Sequence, residues 1–222
     1  MKENFDILQF CPLFYGIKKE DYEPMLSCLG AVVKSFEAKE SVFSEGDKAD
    51  WVGIVLSGTV QIVRVDYDGN RSILSKIHKS EIFAESFSFA GVDEMPVSVV
   101  AEEKTRVLLL RSSRIITPCS NVCDFHNSII HNMLRIMARK NLNFHRKLEI
   151  TSQKTTRDKL MSFLMLQAKQ EGRKKFTIPF DRQELADYLK VDRSGLSAEI
   201  GKLKKEGVID CEKNRFEINR GL

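Results

Sequence analysis

Hydrophobic and polar positions change their rhythm three times along the chain. Between residues 5 and 30, Leu13, Phe14, Ile17, Tyr22, Met25, Leu26 and Leu29 recur at helical spacing and predict short helices. From Val32 to Leu110 the pattern becomes short β-branched runs broken by turn signals, "SEGD" at 44–47, "LSGT" at 56–59 and "DYDGN" at 66–70. "DGN" between "VQIVRV" and "RSILSKI" predicts a hairpin, because Gly69 and Asn70 tolerate positive φ. Many short strands at this spacing predict a roll, sandwich or barrel. A long helix is expected from Pro118, with Phe125, Ile129, Met133, Ile136 or Met137, Phe144 and Leu148 forming one apolar stripe, interrupted at Lys140 and Asn141. Such a helix can cover the β domain, pair with its twin across a dimer axis, or do both along different parts of its surface.

The polar stretch "ITSQKTT" at 150–156 predicts a hinge. Three helix-like pieces follow. The first ends at Gly172, the second opens with Asp181 and Glu184 in capping-box spacing, and the third opens with Asp192 and ends at Gly207. The last stretch, "VIDCEKNRFEI", reads as two short β runs around a charged turn. The expected class is α+β: a β-roll domain with N-terminal helices over 1–117, a long helix over 118–150, and a small helical domain with a β-hairpin over 151–222.

Charge sharpens this division. Residues 151–222 hold 16 basic and 11 acidic side chains, a net +5, whereas residues 1–150 carry a net −1. A polyanion would therefore meet the C-terminal third. The five cysteines, Cys11, Cys28, Cys119, Cys123 and Cys211, are odd in number and scattered, which fits reduced thiols rather than a disulfide framework. The start "MKENFDILQFCPLF" has no signal-peptide pattern and no apolar run is long enough to span a bilayer. A cytoplasmic protein with no membrane partner is expected.

The C-terminal pieces form a winged helix-turn-helix pattern. The helix "QELADYL" would bury Leu185, Ala186 and Leu189, and the small Ala186 lets a second helix cross closely. That second helix would bury Leu196, Ile200 and Leu203, leaving Arg193, Ser194, Ser197, Ala198 and Lys202 outward. A helix whose N-terminus lacks bulk can enter the major groove of DNA. Arg193 has the fork that fits guanine or a phosphate, Ser194 and Ser197 can bond either, and Gly195 permits close approach. Arg182 and Gln183 at the start of the first helix, with Lys213 and Arg215 in the hairpin, are candidate DNA contacts. The bland alternative is a three-helix packing domain.

"DRQELADYLKVDRSGLSAEIGKLKKEGVI" resembles the C-terminal helix-turn-helix of the Crp/Fnr family of bacterial transcription regulators. "SVFSEGDKADWVGIVLSGTVQIVRVDYDGNRSILSKIHKSEIFAES" resembles that family's cyclic-nucleotide-binding β-roll, a double-stranded β-helix (jelly roll), with Gly46, Gly58 and Gly69 at its turns. The resemblance covers nearly the whole chain in the family's order. It implies a homodimer through the long helix, a palindromic DNA site, an effector in the roll, and RNA polymerase as a partner if the protein activates. In relatives that read bases through the second helix, an acid commonly follows the arginine and another arginine comes four positions later. Ser194 and Ala198 stand there instead, so phosphate and shape contacts carry more of the affinity.

The family's nucleotide pattern is Gly-Glu, a short helix, then Arg-Ser-Ala. Here Ala84-Glu85 and Met95-Pro96-Val97 occupy those places. Glu85 is kept, but Met95 offers no charge to a phosphate and Pro96 no amide proton. An unpaired buried phosphate costs several kcal/mol, so cyclic AMP is not the expected effector. The candidate pocket comprises Phe83, Ala84, Glu85, Ser86, Met95, Pro96 and Val97, with Phe87 beside it. It either holds a more apolar effector or is filled by its own side chains. Cys119, Cys123 and His126 share one helical face, a possible metal or thiol switch, yet three ligands without a fourth favour ordinary packing. No metal site and no catalytic residue is expected. A cupin-like metal enzyme would need histidines on the roll, and His78 is the roll's one histidine. A ligand-binding roll acting through protein contacts is the other alternative, against which the winged helix argues.

Overall fold

The computed structural model describes residues 5–69, 71–117 and 124–219. Its elements run α1 (Phe5–Leu8), α2 (Tyr22–Cys28), β1 (Val32–Phe36), β2 (Ser41–Phe43), β3 (Trp51–Ser57), β4 (Val60–Val65), β5 (Arg71–Ile77), β6 (Ile82–Phe83), α3 (Glu85–Phe89), β7 (Ser98–Ala101), β8 (Thr105–Arg111), α4 (Ser112–Ile116), α5 (Asp124–Thr151), α6 (Thr156–Glu171), β9 (Lys175–Thr177), α7 (Arg182–Leu189), α8 (Arg193–Lys205), β10 (Ile209–Glu212) and β11 (Arg215–Ile218). The chain divides into two compact units between Arg139 and Lys140, inside α5. The last two residues of α5, Ile150 and Thr151, lie within the expected hinge stretch, and the break proper follows them.

The N-terminal unit is a roll of two four-stranded antiparallel sheets, ordered β1-β8-β3-β6 and β2-β7-β4-β5. β3 and β8 are buried on both faces, because alternation sends their side chains into two different cores. Val55 of β3 and Val107 and Leu109 of β8 enter the roll interior with Phe43, Phe83, Met95, Val97 and Val99. Val52, Ile54, Leu56, Leu108 and Leu110 point the other way, onto Leu13, Phe14, Met25, Leu26 and Leu29 of the N-terminal segment. The β4–β5 hairpin runs from Val60 to Ile77 with a register shift between Ile62 and Val63, and Gly69 stands at φ 82° in its turn; Asn70 lies outside the described residues. Gly58, at φ 79°, also lies so close to Thr105 and the Lys104 carbonyl that no side chain fits.

Two apolar faces of α5 replace the single stripe. Ile129, Met133 and Ile136 are buried on the N-terminal unit. The Asn132 side-chain amide fastens this turn by donating to the carbonyls of Leu13 (3.0 Å) and Tyr15 (2.7 Å). Leu134, Leu142, Phe144 and Leu148 are exposed, and Ile130 and Met137 half-buried. Ile130, Leu134, Met137, Asn141, Phe144 and Leu148 alternate in steps of four and three, the spacing of a coiled-coil seam.

In the C-terminal unit, α6, α7 and α8 pack against an antiparallel sheet ordered β10-β11-β9. Leu160, Phe163 and Leu164 meet Leu185, Ala186, Leu189, Leu196, Ile200 and Leu203, and Phe176, Phe216 and Ile218 close the core. The hairpin of β10 and β11 carries a third strand, β9, paired through Phe176 and Phe216, which the sequence pattern did not predict. Three residues with one apolar position carry too little periodicity to register. No helix among the described residues is long and apolar enough to cross a membrane.

Candidate nucleic-acid interface and the roll interior

The start of α7 is locked by a reciprocal capping box. The Glu184 amide donates to Asp181 (2.8 Å) and the Asp181 amide donates to the Glu184 carboxylate (2.7 Å). α7 ends at Lys190, which takes a left-handed conformation (φ 53°) and turns the chain into α8. Asp192 caps α8, accepting from the Gly195 amide at 2.9 Å and from the Ser194 hydroxyl. The Ser194 hydroxyl, followed by the Gly195 amide, holds the Asp192 carboxyl below its ordinary value.

Because Leu196, Ile200 and Leu203 take the inward face of α8, Arg193, Ser194, Gly195, Ser197, Ala198 and Lys202 are all exposed. Arg193 has no side-chain partner among the described residues. The two serines, expected to bond either a base or a phosphate, already commit their hydroxyl protons within the protein. Ser194 donates to Asp192, and Ser197 donates to the Arg193 carbonyl (2.9 Å), so both present acceptor lone pairs outward. Gly195 meets no neighbour that forbids a side chain: an added Cβ would lie 3.8 Å from the Asp192 carboxylate. The fold itself does not require that glycine.

The other candidates divide. Lys213 and Arg215 are exposed on the wing. Arg182 is held there, donating to the Lys213 carbonyl (3.3 Å) with its guanidinium 5.9 Å from the Phe216 ring centre. Gln183 donates along its own helix to Asp187 (2.9 Å). Between the start of α7 and the wing lies a cleft of about 600 Å³, lined by Phe180, Asp181, Arg182, Lys213 and Asn214 among others. Sequence reasoning missed Arg157, in the first turn of α6. Its guanidinium forks onto Glu206 at the end of α8 (3.0 and 2.5 Å) and lies 3.6 Å from Glu199. The one signal in the sequence is a cation placed where the α6 dipole disfavours it.

In the roll, Phe83, Ala84, Glu85, Met95 and Val97 are buried, whereas Ser86 and Pro96 are exposed. Ala84 precedes α3 in the left-handed region (φ 64°), a conformation costing an L-residue about 1–2 kcal/mol. The Phe83 ring lies over Gly53, where a Cβ would overlap it, and 6.0 Å from the Phe43 ring. Met95 is only 2% exposed, and its backbone is tied on both sides, its amide to Asp47 (2.7 Å) and its carbonyl to the Gly46 amide (2.9 Å). Ser86 donates to the buried Glu85 carboxylate at 3.1 Å. Cys119 and Cys123 lie outside the described residues. Their expected neighbour His126 is buried, one ring nitrogen 2.9 Å from the Arg114 carbonyl.

A β-roll and a winged helix with its capped second helix laid bare form the build of a DNA-binding regulator with a sensory domain. Residues 33–119 match the model of the cyclic nucleotide-binding domain and residues 158–220 that of the Crp-like helix-turn-helix domain. The chain is 25% identical to a cyclic AMP receptor protein of Thermus thermophilus, over 93% of this chain and 92% of that protein. It is also 25% identical to the transcriptional activator protein FnrL of Cereibacter sphaeroides, over 83% and 75% respectively. The fold resembles that of the c-di-GMP-responsive regulator CLP of Xanthomonas campestris, with a TM-score of 0.57 at 17% identity, covering 92% of this chain and all (100%) of that one. The chain belongs to the Crp/Fnr family of transcription regulators, which bind DNA and act as dimers.

Proposed function

We propose that two copies of the chain pair along α5 and place their α8 helices in successive major grooves of a palindromic DNA site. The division of labour follows the expected parts: 1–117 senses, 118–150 pairs and 151–222 binds. The observation that carries this reading is the outward face of α8. Its first turn offers Arg193 without a partner, beside small residues that leave a base edge or phosphate within reach. The seam from Ile130 to Leu148, exposed at Leu134, Phe144 and Leu148 and half-buried at Ile130 and Met137, supports pairing through α5, and Asn141 at its centre is the polar position that sets register in such coils. Lys202, Lys213 and Arg215 supply phosphate contacts. In an activator the remaining surface meets RNA polymerase.

Control comes from the roll, and its effector is not cyclic AMP. Met95 stands where a phosphate would need a cation, and an apolar molecule is the chemistry its surroundings suit. Selection of binding sequences from a random duplex pool tests the whole reading. A two-fold symmetric motif bound by a dimer is the expected result, with no change in affinity when cyclic AMP is added. Enrichment of no motif at low salt would refute it.

A further inference from the structure

Two charges in the C-terminal unit sit against their own helices. Arg157 lies in the first turn of α6, and Glu206 caps the carboxyl end of α8. A helix dipole disfavours a cation at its start and an acid at its end. The positions suit each other: Arg157 Nη1 and Nη2 lie 3.0 and 2.5 Å from the two Glu206 oxygens. Arg157 Nη1 also lies 3.6 Å from Glu199 Oε1, while Glu199 Oε2 lies 3.6 Å from Lys202 Nζ. Glu199 therefore stands between two cations, its side chain 15% exposed and that of Lys202 67% exposed. Exposed ion pairs of this kind contribute little to folding. Their arrangement still decides which cation on α8 is available to a partner.

We propose that Arg157 is a positioning residue for DNA binding: it holds Glu199 from the α6 side and so leaves Lys202 to a DNA phosphate. This rests on the reading that α8 binds DNA. Without Arg157, Glu199 has Lys202 as its remaining partner. The Lys202–Glu199 pair, already 3.6 Å apart with Arg157 in place, then becomes that carboxylate's one neutralising contact and competes more strongly with the phosphate. The chain would lose one neutralised phosphate per subunit although no DNA-contacting residue had been changed.

The test uses the full-length dimer and its selected duplex, with affinity measured by fluorescence anisotropy from about 50 to about 200 mM salt. Each neutralised phosphate adds about 0.9 to the slope of log affinity on log salt. Arg157→Gln is expected to lower the slope by about 0.9 per subunit, as Lys202→Ala does. Adding Glu199→Gln to Arg157→Gln should restore it. Arg157→Lys, which keeps the charge and loses the fork, should hold the wild-type slope and guards against a glutamine variant that fails to fold. A lower unfolding temperature with an unchanged slope in Arg157→Gln overturns the proposal and leaves Arg157 a structural brace. A folded Arg157→Lys protein with a reduced slope also overturns it. If the wild-type protein binds no duplex in a salt-dependent way, the DNA reading itself falls, and this inference with it.

Discussion

The first turn of α3 and the first turn of α8 each begin with residues singled out for ligand contact, and they present Glu85 and Arg193 in opposite directions. α3 follows Ala84, a left-handed residue that makes no side-chain cap, and its first residue Glu85 turns into the roll with Phe83, Met95 and Val97 around it. α8 is capped by Asp192, and its first turn turns outward. Both begin with an acid near a helix N-terminus, so local chemistry does not distinguish them. What differs is the far side. At α3 Glu85 is buried beside the core residues Phe83, Ala84, Met95 and Val97, Phe87 packs half-buried against them, and Ser86 is exposed. At α8 the core takes Leu196, Ile200 and Leu203, Arg157 of α6 lies against Glu199, and Arg193, Ser194, Ser197, Ala198 and Lys202 are left exposed. Inward residues serve the fold before they serve a ligand, whereas outward ones are free for recognition.

The largest test of that contrast is Met95→Arg, which restores the cation of the nucleotide-binding relatives. In a packed interior an unpaired charge costs on the order of 3–5 kcal/mol, so chemical denaturation should show a strongly destabilised N-terminal unit. Wild-type stability, or a gain on adding cyclic AMP, would break the comparison by showing room for a phosphate. Arg193→Ala works at the opposite surface. It should leave unfolding unchanged and weaken specific DNA binding by about 1–3 kcal/mol, relaxing selectivity at one base of each half-site. A loss of stability there would mean that Arg193 belongs to the fold.

Gly195→Ala separates the two demands within one residue. The helix should gain up to about 1 kcal/mol, since nothing in the fold needs that glycine, while DNA affinity falls if the backbone approaches as closely as proposed. A gain in stability with full affinity would remove the glycine from the interface. The smallest effect concerns the Asp192 cap. Its carboxyl is held below its ordinary value, so its contribution is complete above about pH 3.9 and is lost as pH falls through the lower folded value. Asp192→Asn should flatten the acid limb of stability measured by urea unfolding between about pH 5 and pH 2. An identical acid limb in both proteins would assign the loss to other carboxylates.

Legibility followed the range of the forces involved. β4 and β5 were readable, since a turn signal between two β-branched runs is local and Gly69 takes the positive φ it needs. So were the caps of α7 and α8, each a contact across three residues. The apolar positions of α5 were readable but not their assignment. Ile129 and Met133 look no more apolar than Leu134 and Phe144, yet the first pair is buried and the second is exposed. β9 was invisible because its evidence is its partner β11, forty residues further on. Arg157 was invisible for the same reason: its partners Glu199 and Glu206 lie on another helix. In the roll, Glu85 and Met95 were found as the family's ligand positions, but their burial was not in the motif.

By itself the sequence determined the order of roll, long helix and winged helix, the turns of the roll, and the outward small-and-basic face of α8. Turns, caps and periodicity act within a few residues and are written where they act. Only the tertiary structure decided that the residues around Met95 are packed as core, that α5 carries a second apolar face, that the Ser194 and Ser197 hydroxyls are already donated, and that Arg157 shares Glu199 with Lys202. Each of these depends on which distant surface closes over a residue, and burial and ion pairing are properties of that closure.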